Sequence, residues 1–359
     1  MLLSNSLSRL GRAGSAALPP ILALLAACVL FSLFLLVQGI SPAAVFGNIY
    51  DGAFGSWFSW QNSMQRAAPI MLTALCVAIT AKLGLIVIGA EGALVLGGLG
   101  AALAGLALQG WLPPLATQTG LLLAGAVVGG LWIGFAGALR HYRGVNETIS
   151  TLLLTYIAIA VLNHLVEGPL RDPASLNNPS TYPLDWNVMI GEIPGTSIHW
   201  GFAFAVAACI VFWVLVNRTT FGFAVRMIGG NPQAAKLSGI PVGKVLLLAC
   251  ALGGAAAGLA GAVEVAAVHG AANSSLAVGY GFTGILVAFI ARQNALAIIA
   301  VAILLGGLEA SSGVVQRRMD LPDATLVVFQ GIAFLCVLAS EAIQGRLRMP
   351  QLFRPREAV

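Results

Sequence analysis

Charged residues are scarce in this chain. Only 9% of its 359 residues are Asp, Glu, Lys or Arg, 58% are hydrophobic, and mean hydropathy is +0.92. Soluble domains carry about 25% charged residues, because a water-exposed surface needs them. The scarcity of charge argues against a soluble enzyme and against a nucleic-acid-binding protein. The sequence therefore predicts a protein that resides in a lipid bilayer.

Clusters of metal-binding or disulfide-forming residues are also missing. The four histidines and five cysteines are widely separated, and each cysteine lies inside an apolar run. Metal sites need ligands at close spacing, and disulfide frameworks are typical of short secreted chains. We therefore expect no metal site and no cofactor, and we interpret the cysteines as packing residues.

The chain lacks a nucleotide-binding loop of its own. Residues 279–284, GYGFTG, match the G-x-G-x-x-G pattern, but an apolar stretch stands where a dinucleotide site needs an acidic residue. Residues 239–244 resemble a phosphate-binding loop but are followed by Val245, where Ser or Thr would hold magnesium. Any ATP that drives this protein must therefore be bound by another chain.

Ten apolar segments predict membrane spans. Crossing about 30 Å of hydrocarbon takes about 20 helical residues, since every backbone polar group must be hydrogen-bonded within the segment. We predict an all-α, polytopic membrane helix bundle with spans at residues 18–40, 67–81, 86–108, 120–139, 147–166, 199–217, 245–268, 279–291, 295–312 and 324–344. The second and eighth are short, which suggests broken or re-entrant helices.

Positive charges predict the orientation of these spans. If the N-terminus is cytoplasmic, all but four of the 18 Lys and Arg residues lie inside, and the exceptions are Arg66, Arg171, Arg317 and Arg318. Because cytoplasmic loops are enriched in Lys and Arg, both termini are expected in the cytoplasm. The transmembrane domain then covers residues 18–344, between a tail at 1–17 and a basic tail at 345–359.

Two connections are longer than simple turns. The outer loop, residues 167–198, is rich in proline and acidic residues, and it is either a docking surface or an ordinary capping loop. The inner segment, residues 218–244, is basic. Within it Asn231 as N-cap, Pro232 at the first helical position and Gly239 beyond the end predict one short helix on the cytoplasmic face.

Polar groups and glycines interrupt the apolar segments. Residues 82–92, KLGLIVIGAEG, are typical of a broken helix that exposes its backbone to a substrate. A central charge costs about 2.5–3.5 kcal/mol in hydrocarbon, so such groups should face a cavity, a partner or the bundle interior. Interhelical hydrogen bonding is the alternative role. The residues concerned are Glu91, Asn146, Glu147, Asn163, His164, Glu264 and Glu309.

Glycine spacing predicts close helix packing. Gly125 and Gly129, and likewise Gly130 and Gly134, lie four residues apart, which places each pair on one helix face.

Several segments resemble the permease subunits of ATP-binding-cassette importers, in the group that takes up branched-chain amino acids, simple sugars and nucleosides. Residues 229–242 resemble the cytoplasmic coupling segment of that group. Residues 146–158, NETISTLLLTYIA, are similar to its nucleoside-type branch. The other matching blocks are residues 89–92, 279–288 and 305–309.

The resemblance implies a multi-pass permease subunit of a bacterial inner membrane, which translocates a nucleoside or related solute by alternating access. It also implies three partners: a cytoplasmic ATPase, a second permease subunit that is often non-identical, and an extracytoplasmic solute-binding protein. We assign ATPase coupling to Asn231, Pro232, Ala234, Ala235, Lys236 and Gly239. From polar groups and glycine breaks, we assign the substrate pathway to Glu91, Asn146, Asn163, Tyr280, Phe282 and Glu309.

Two other transport functions remain open at this stage. One is a simple-sugar permease of the same group. The other is an ion-driven secondary transporter, in which Glu91, Glu264 and Glu309 would be the coupling carboxylates. A purely structural membrane protein would leave the capped basic helix without a role.

Overall fold

The computed structural model describes residues 2–348, without the side chains of residues 2–18, 20, 341 and 344–348. Among the described residues there is no β-strand, only two isolated bridges, Ser180 with Asn273 and Glu192 with His199. The all-α fold class is thus confirmed. Most of the basic tail predicted at 345–359 lies outside the described residues.

The helices alternate with short connections along the chain. They are α1 (Leu2–Val37), α2 (Pro42–Phe54), α3 (Trp57–Ala81), α4 (Ala90–Leu108), α5 (Pro114–Arg143), α6 (Glu147–Glu167), α7 (Trp200–Arg218), α8 (Thr220–Gly230), α9 (Pro232–Leu237), α10 (Val242–Glu264), α11 (Tyr280–Ile290), α12 (Ala295–Met319) and α13 (Ala324–Arg348). A π-helical turn, Val265–His269, extends α10, and 3-10 turns lie at Trp186–Val188 and Ser274–Leu276.

Seven of the described helices are long and apolar enough to cross a membrane: α3 to α7, α10 with its π-helical turn, and α12. Three shorter apolar stretches coincide with the remaining predicted spans, at Ile21–Val37, Ser274–Ile290 and Ala324–Ser340. The molecule is therefore a multi-pass membrane protein.

The prediction that the span at 67–81 is short was wrong. Helix α3 begins at Trp57, where the side chain of Ser56 accepts the N–H of Ser59, and it continues through Pro69. Its first three turns contain a polar run ending in Arg66, which the sequence pattern places in a loop. These turns can be helical because their polar side chains form hydrogen bonds with other parts of the fold: Ser63 Oγ donates to the carbonyl of Ala53, and Gln61 Oε1 accepts the N–H of Ser197. By contrast, α11 has only 11 residues, which agrees with the short eighth span.

The inner segment contains two helices rather than the single one predicted. Helix α8 precedes α9, and its N-cap is Thr219, whose hydroxyl accepts the N–H of Gly222 at 3.3 Å. Asn231 ends α8 and starts α9. The sequence of α8 is apolar and contains glycines, and it has no strong helix-breaking signal before Asn231. The sequence pattern therefore does not show where α8 begins.

The chain divides into two compact units. The terminal unit comprises the chain up to Gly52 and from Ser311 onward. Its core centres on Phe31 and Leu35 of α1 with Val45 of α2. The ring of Phe329 on α13 lies 4.8 Å from that of Phe31. In the same unit Arg318 pairs with Asp51 at 2.9 Å.

The central unit, residues 53–310, is built on backbone contact between α4, α5 and α10. A Cβ atom added to Gly129 would lie 2.6 Å from Cα of Gly258, and one added to Gly125 would lie 2.7 Å from Cβ of Ala262. These helices can approach so closely only because glycine lacks a side chain. The predicted packing role of Gly125 and Gly129 is confirmed, whereas a Cβ on Gly134 would make only an ordinary contact, 3.7 Å from Ala251.

Candidate functional site

The sequence predicts a break in the helix between α3 and α4, and the chain there is indeed not helical. Gly84 has φ of +79°, which turns the chain back toward the bundle. The segment is held by α6, because Thr148 Oγ1 donates to the carbonyl of Ile86 at 2.9 Å and Ile88 N donates to Thr151 Oγ1 at 3.1 Å. We call this stretch, residues 82–89, the broken segment. It leads directly into Glu91.

Glu91 caps the N-terminus of α11. Its Oε1 accepts the N–H of Gly279 at 2.8 Å, and its Oε2 accepts the N–H of Gly281 at 2.5 Å. The carboxylate is only 1% exposed, and the positive end of the helix dipole favours it there. Gly281 has to be glycine, because a Cβ would lie 2.6 Å from Cα of Glu91. The carboxylate therefore joins α4 to α11.

Two further side chains hold the first turn of α11. Thr73 Oγ1 on α3 donates to the carbonyl of Tyr280 at 3.0 Å. Thr283 Oγ1 donates to Glu309 Oε1 on α12 at 2.8 Å. Three of the predicted pathway residues, Glu91, Tyr280 and Glu309, thus meet at one helix terminus.

Arg66 is the site residue that the sequence reasoning missed. It was predicted on the outer side, but it lies within α3 and interacts electrostatically with Glu264 and Tyr280. Its Nε is buried and has no hydrogen-bond partner among the described residues. Glu264, at the end of α10, also lies 3.7 Å from Nε2 of His269. The signal was the helical spacing of Gln61, Gln65 and Arg66 ahead of an apolar helix.

We call these residues the polar cluster: Arg66, Glu91, Glu264, Tyr280 and Glu309. It holds three carboxyl groups against a single guanidinium group, and Glu309 interacts electrostatically with both other carboxyl groups. Among the described residues no three His, Cys, Asp or Glu side chains are grouped so as to hold a metal ion. The cluster can thus offer hydrogen-bond acceptors and one cationic donor to a polar molecule.

The other predicted pathway residues differ in their surroundings. Asn146 is exposed and caps α6, since its Oδ1 accepts the N–H of Thr148 at 3.0 Å and of Ile149 at 3.1 Å. The Oδ1 atom of Asn163 is buried and has no hydrogen-bond partner among the described residues. Phe282 is 43% exposed, whereas Tyr280 is 7% exposed. Phe282 therefore presents a face that another molecule can contact, whereas the Oδ1 atom of Asn163 is both buried and unpaired among the described residues.

The predicted caps of α9 are present. Asn231 Oδ1 accepts the N–H of Gln233 at 3.0 Å and of Ala234 at 3.1 Å, and Pro232 occupies the first turn. Gly239 follows the helix with φ of +79°. The short helix is thus defined by its own sequence.

The exposed face of α9 differs from the predicted contact set at Ala235 and at Leu237. Ala235 is fully buried within its own chain. Leu237, which the sequence reasoning left out, is 91% exposed. Pro232, Ala234 and Lys236 are exposed as well. The exposed face of α9 thus offers an apolar side chain beside a lysine.

Helix α8 connects α9 to the broken segment. Gly229 packs on the carbonyl of Lys82, and a Cβ there would lie 3.4 Å from Cα of Leu83. Arg226 donates from Nη1 to the carbonyl of Val216. Contacts therefore run from α9 through α8 and the broken segment to Glu91. We call this end of the central unit, which carries Lys82, Arg143, Arg218, Arg226 and Lys244, the basic end.

The outer loop is folded onto the turn that follows α10. Ile190 N donates to the carbonyl of Ala266 and Leu184 N to that of Gly270, each at 2.8 Å. The backbone of Ser197 also bonds to Gln61 and Gln65 of α3. The loop therefore caps the end of the unit opposite the basic end.

The same loop leaves two large apolar side chains outside. Leu176 is 82% exposed and Trp186 is 84% exposed. His199, the N-cap residue of α7, is buried. Capping is thus observed, and the exposed side chains keep the docking interpretation open.

Comparison with known proteins identifies similar chains. A family described as branched-chain amino acid transport system, permease component, matches residues 59–338. The glucose ABC transporter permease protein TsgB13 of Haloferax volcanii is 32% identical over 90% of this chain and 87% of its own. The guanosine ABC transporter permease protein NupP of Bacillus subtilis is 30% identical over 92% and 96%. The nucleoside ABC transporter permease protein NupB of Lactococcus lactis is 24% identical over 89% and 91%.

Proposed function

The chain belongs to the family of permease components of branched-chain amino acid transport systems, and from this premise we propose that it imports a nucleoside or a related polar solute. Members of this family are transport subunits of ATP-binding-cassette transporters, and separate ATPase subunits hydrolyse the ATP. The family also implies a second permease subunit. Family membership therefore argues against the ion-driven secondary transporter that the sequence alone left open.

We propose that the protein lies in a bacterial inner membrane with ten spans and both termini in the cytoplasm. The concentration of Lys and Arg at the basic end supports this orientation. The three apolar stretches shorter than full spans are the ones that this count adds to the seven long helices. The solute-binding protein then docks on the outer loop, where Leu176 and Trp186 are exposed.

The observation that carries the mechanism is the chain of contacts from α9 to the polar cluster. An ATPase that holds the exposed face of α9 would move α8 and, through Gly229 and Lys82, the broken segment. Glu91 follows that segment and holds the N-terminus of α11. Closure of the ATPase would thus shift α11 relative to α3 and α12, which is the change that alternating access requires.

The chemistry of the site suits a nucleoside. An aromatic face such as Phe282 can stack on a base, and the amide of Asn163 can bond to a base edge or a ribose hydroxyl. A solute without polar groups would leave such a buried amide unpaired, at about 1–3 kcal/mol. Tyr280 is buried, so it contacts solute only after α11 moves. A simple sugar is the second candidate, because the glucose permease relative matches most of the chain.

Uptake into proteoliposomes tests the proposal. The full transporter, with its ATPase, second permease and binding protein, should accumulate labelled guanosine with ATP inside and be insensitive to ionophores. Excess unlabelled nucleoside should compete, and excess glucose should not. Competition by glucose alone would establish the sugar alternative, and ionophore-sensitive uptake without ATP would contradict the proposal.

Variants at the pathway sharpen the test. Phe282→Ala should weaken guanosine uptake, because it removes a ring that can stack on the base. Asn163→Leu should lower guanosine uptake about tenfold, in line with the loss of one buried hydrogen bond. The matched control is Phe135→Ala, which removes an exposed phenyl ring from α5. If both pathway variants transport normally, the path lies elsewhere.

A further inference from the structure

A groove opens at the basic end between α3, α7 and the turn that joins α11 to α12. Its walls are apolar and include Ile79, Phe212 and Val216. Its polar lining includes Lys82, Asn217 and Asn294. No acidic side chain belongs to the described lining. The groove therefore combines a hydrocarbon-like wall with a polar, positively charged rim.

Three cations surround this groove. Lys82 lines it directly. Arg226 donates to the carbonyl of Val216, and the guanidinium of Arg218 lies 5.7 Å from the ring centre of Trp213. Val216 and Trp213 both line the groove. None of the three forms an ion pair with an acidic residue in the described part of the chain. The rim thus carries positive charge that the protein does not neutralise.

The surroundings of Lys82 disfavour its charge. The lysine is partly withdrawn from water, and this burial lowers its pKa, with a further contribution from the nearby Arg226. An anion between the two side chains would remove that repulsion and replace the lost hydration. A negatively charged group bound beside Lys82 and Arg226 would therefore be electrostatically favourable.

The backbone at the foot of the groove is unusual as well. Arg292 and Gln293 are consecutive non-glycine residues with φ of 50° and 59°. Such a pair costs free energy and is typical of ligand clamps and switch regions. The next residue, Asn294, caps α12 by accepting the N–H of Leu296 at 3.1 Å. A fixed, strained turn therefore forms the third side of the groove.

We propose that this groove binds an anionic phospholipid, with the headgroup phosphate between Lys82, Arg218 and Arg226 and an acyl chain along α3 and α7. Basic pockets between transmembrane helices bind anionic headgroups in this way. A free phosphate would match the cations but leave the apolar wall uncovered. Helix α7 supports a lipid rather than a protein segment, because only 22% of its apolar window is buried within the protein.

The site adjoins the connection between α8 and the broken segment. Gly229 packs on the carbonyl of Lys82, the residue that would hold the headgroup. A bound lipid would therefore fix the end of α3 against α8. This inference does not depend on which solute is transported, so its failure and that of the proposed function are distinguishable.

Native mass spectrometry of the detergent-solubilised full chain tests the site. With added phosphatidylglycerol we expect one tightly retained lipid, and with phosphatidylcholine none at the same concentration. Lys82→Gln and Arg226→Gln should each weaken retention about fivefold, as expected for loss of one cation at a headgroup. Arg143→Gln, which removes a positive charge elsewhere at the basic end, should have no effect.

A second variant separates binding from folding. Ala295→Phe fills the groove without changing charge, and it should abolish retention while the apparent Tm without lipid stays unchanged. Displacement of the lipid by inorganic phosphate would overturn the proposal, because the site would then recognise only an anion. Equal retention of phosphatidylcholine, an equal loss in Arg143→Gln, or full retention in Ala295→Phe would each overturn the proposal.

Discussion

At the scale of single residues, Glu91 explains how a carboxylate can be stable inside an apolar bundle. It accepts two backbone N–H groups at the start of α11, so its charge is matched by donors that would otherwise be unpaired. Residues 89–92, the block that contains Glu91, therefore have a structural role in the bundle that does not depend on any solute. The same residue lies between the broken segment and the polar cluster.

Replacing Glu91 tests this capping role. Glu91→Ala should destabilise the protein by about 3 kcal/mol or more, because hydrogen bonds to a charged group contribute about 1.5–3 kcal/mol each. Glu91→Gln keeps one acceptor, so its stability should lie between that of Glu91→Ala and that of the natural protein. The apparent Tm in detergent measures the effect, and exposed Glu167→Gln should leave it unchanged. An unaltered Tm in Glu91→Ala would show that α11 is held by other contacts.

At the scale of elements, helix packing depends on a few glycines rather than on all of them. Gly129 and Gly134 lie on the same helix, five residues apart, but only Gly129 is in backbone contact with α10. Sequence spacing alone treats the two alike. The difference arises from how α5 crosses α10, which is a tertiary property.

This pair gives a matched experiment on α5. Gly129→Ala should lower the apparent Tm and the yield of folded protein, because the added Cβ would lie 2.6 Å from Cα of Gly258. Gly134→Ala should leave Tm unchanged or raise it slightly, since alanine favours a helix by about 1 kcal/mol over glycine. Equal behaviour of the two variants would contradict the observed packing.

Helix α9 provides the corresponding test of coupling. Leu237→Glu should reduce ATPase co-purification and ATP-driven uptake at least tenfold, as expected for losing an interface residue worth about 2 kcal/mol. Its apparent Tm should not change, because Leu237 is 91% exposed. Ala235→Glu should instead lower Tm, since Ala235 is buried. Leu176→Glu, in the outer loop, should co-purify the ATPase normally.

The outcome for α9 would be decisive about the contact surface. Normal ATPase binding by Leu237→Glu would mean that the ATPase docks on another part of the basic end. Loss of binding only in Ala235→Glu would mean that the fold of the segment, rather than its exposed face, is recognised.

At the scale of the whole molecule, the sequence predicts well whatever depends on local pattern. The broken segment and the caps at Asn231 and Gly239 follow from turn and capping chemistry, and they lie where predicted. Arg66 was misplaced because a polar run at a helix start looks like a loop, and its distant partner Glu264 is invisible to periodicity. The burial of Ala235 and the exposure of Leu237 likewise depend on what α9 packs against.

Orientation in the bilayer is the property of the whole chain that remains a prediction. In a cysteine-free background, single cysteines at Ser4 and Val359 should react with membrane-impermeant maleimide only after the cells are opened. Asn177→Cys, in the outer loop, should react in intact cells. Because each span inverts everything that follows it, termini on opposite sides would exclude ten spans. Two outer termini would invert the bundle and place α9 where no cytoplasmic ATPase can reach it.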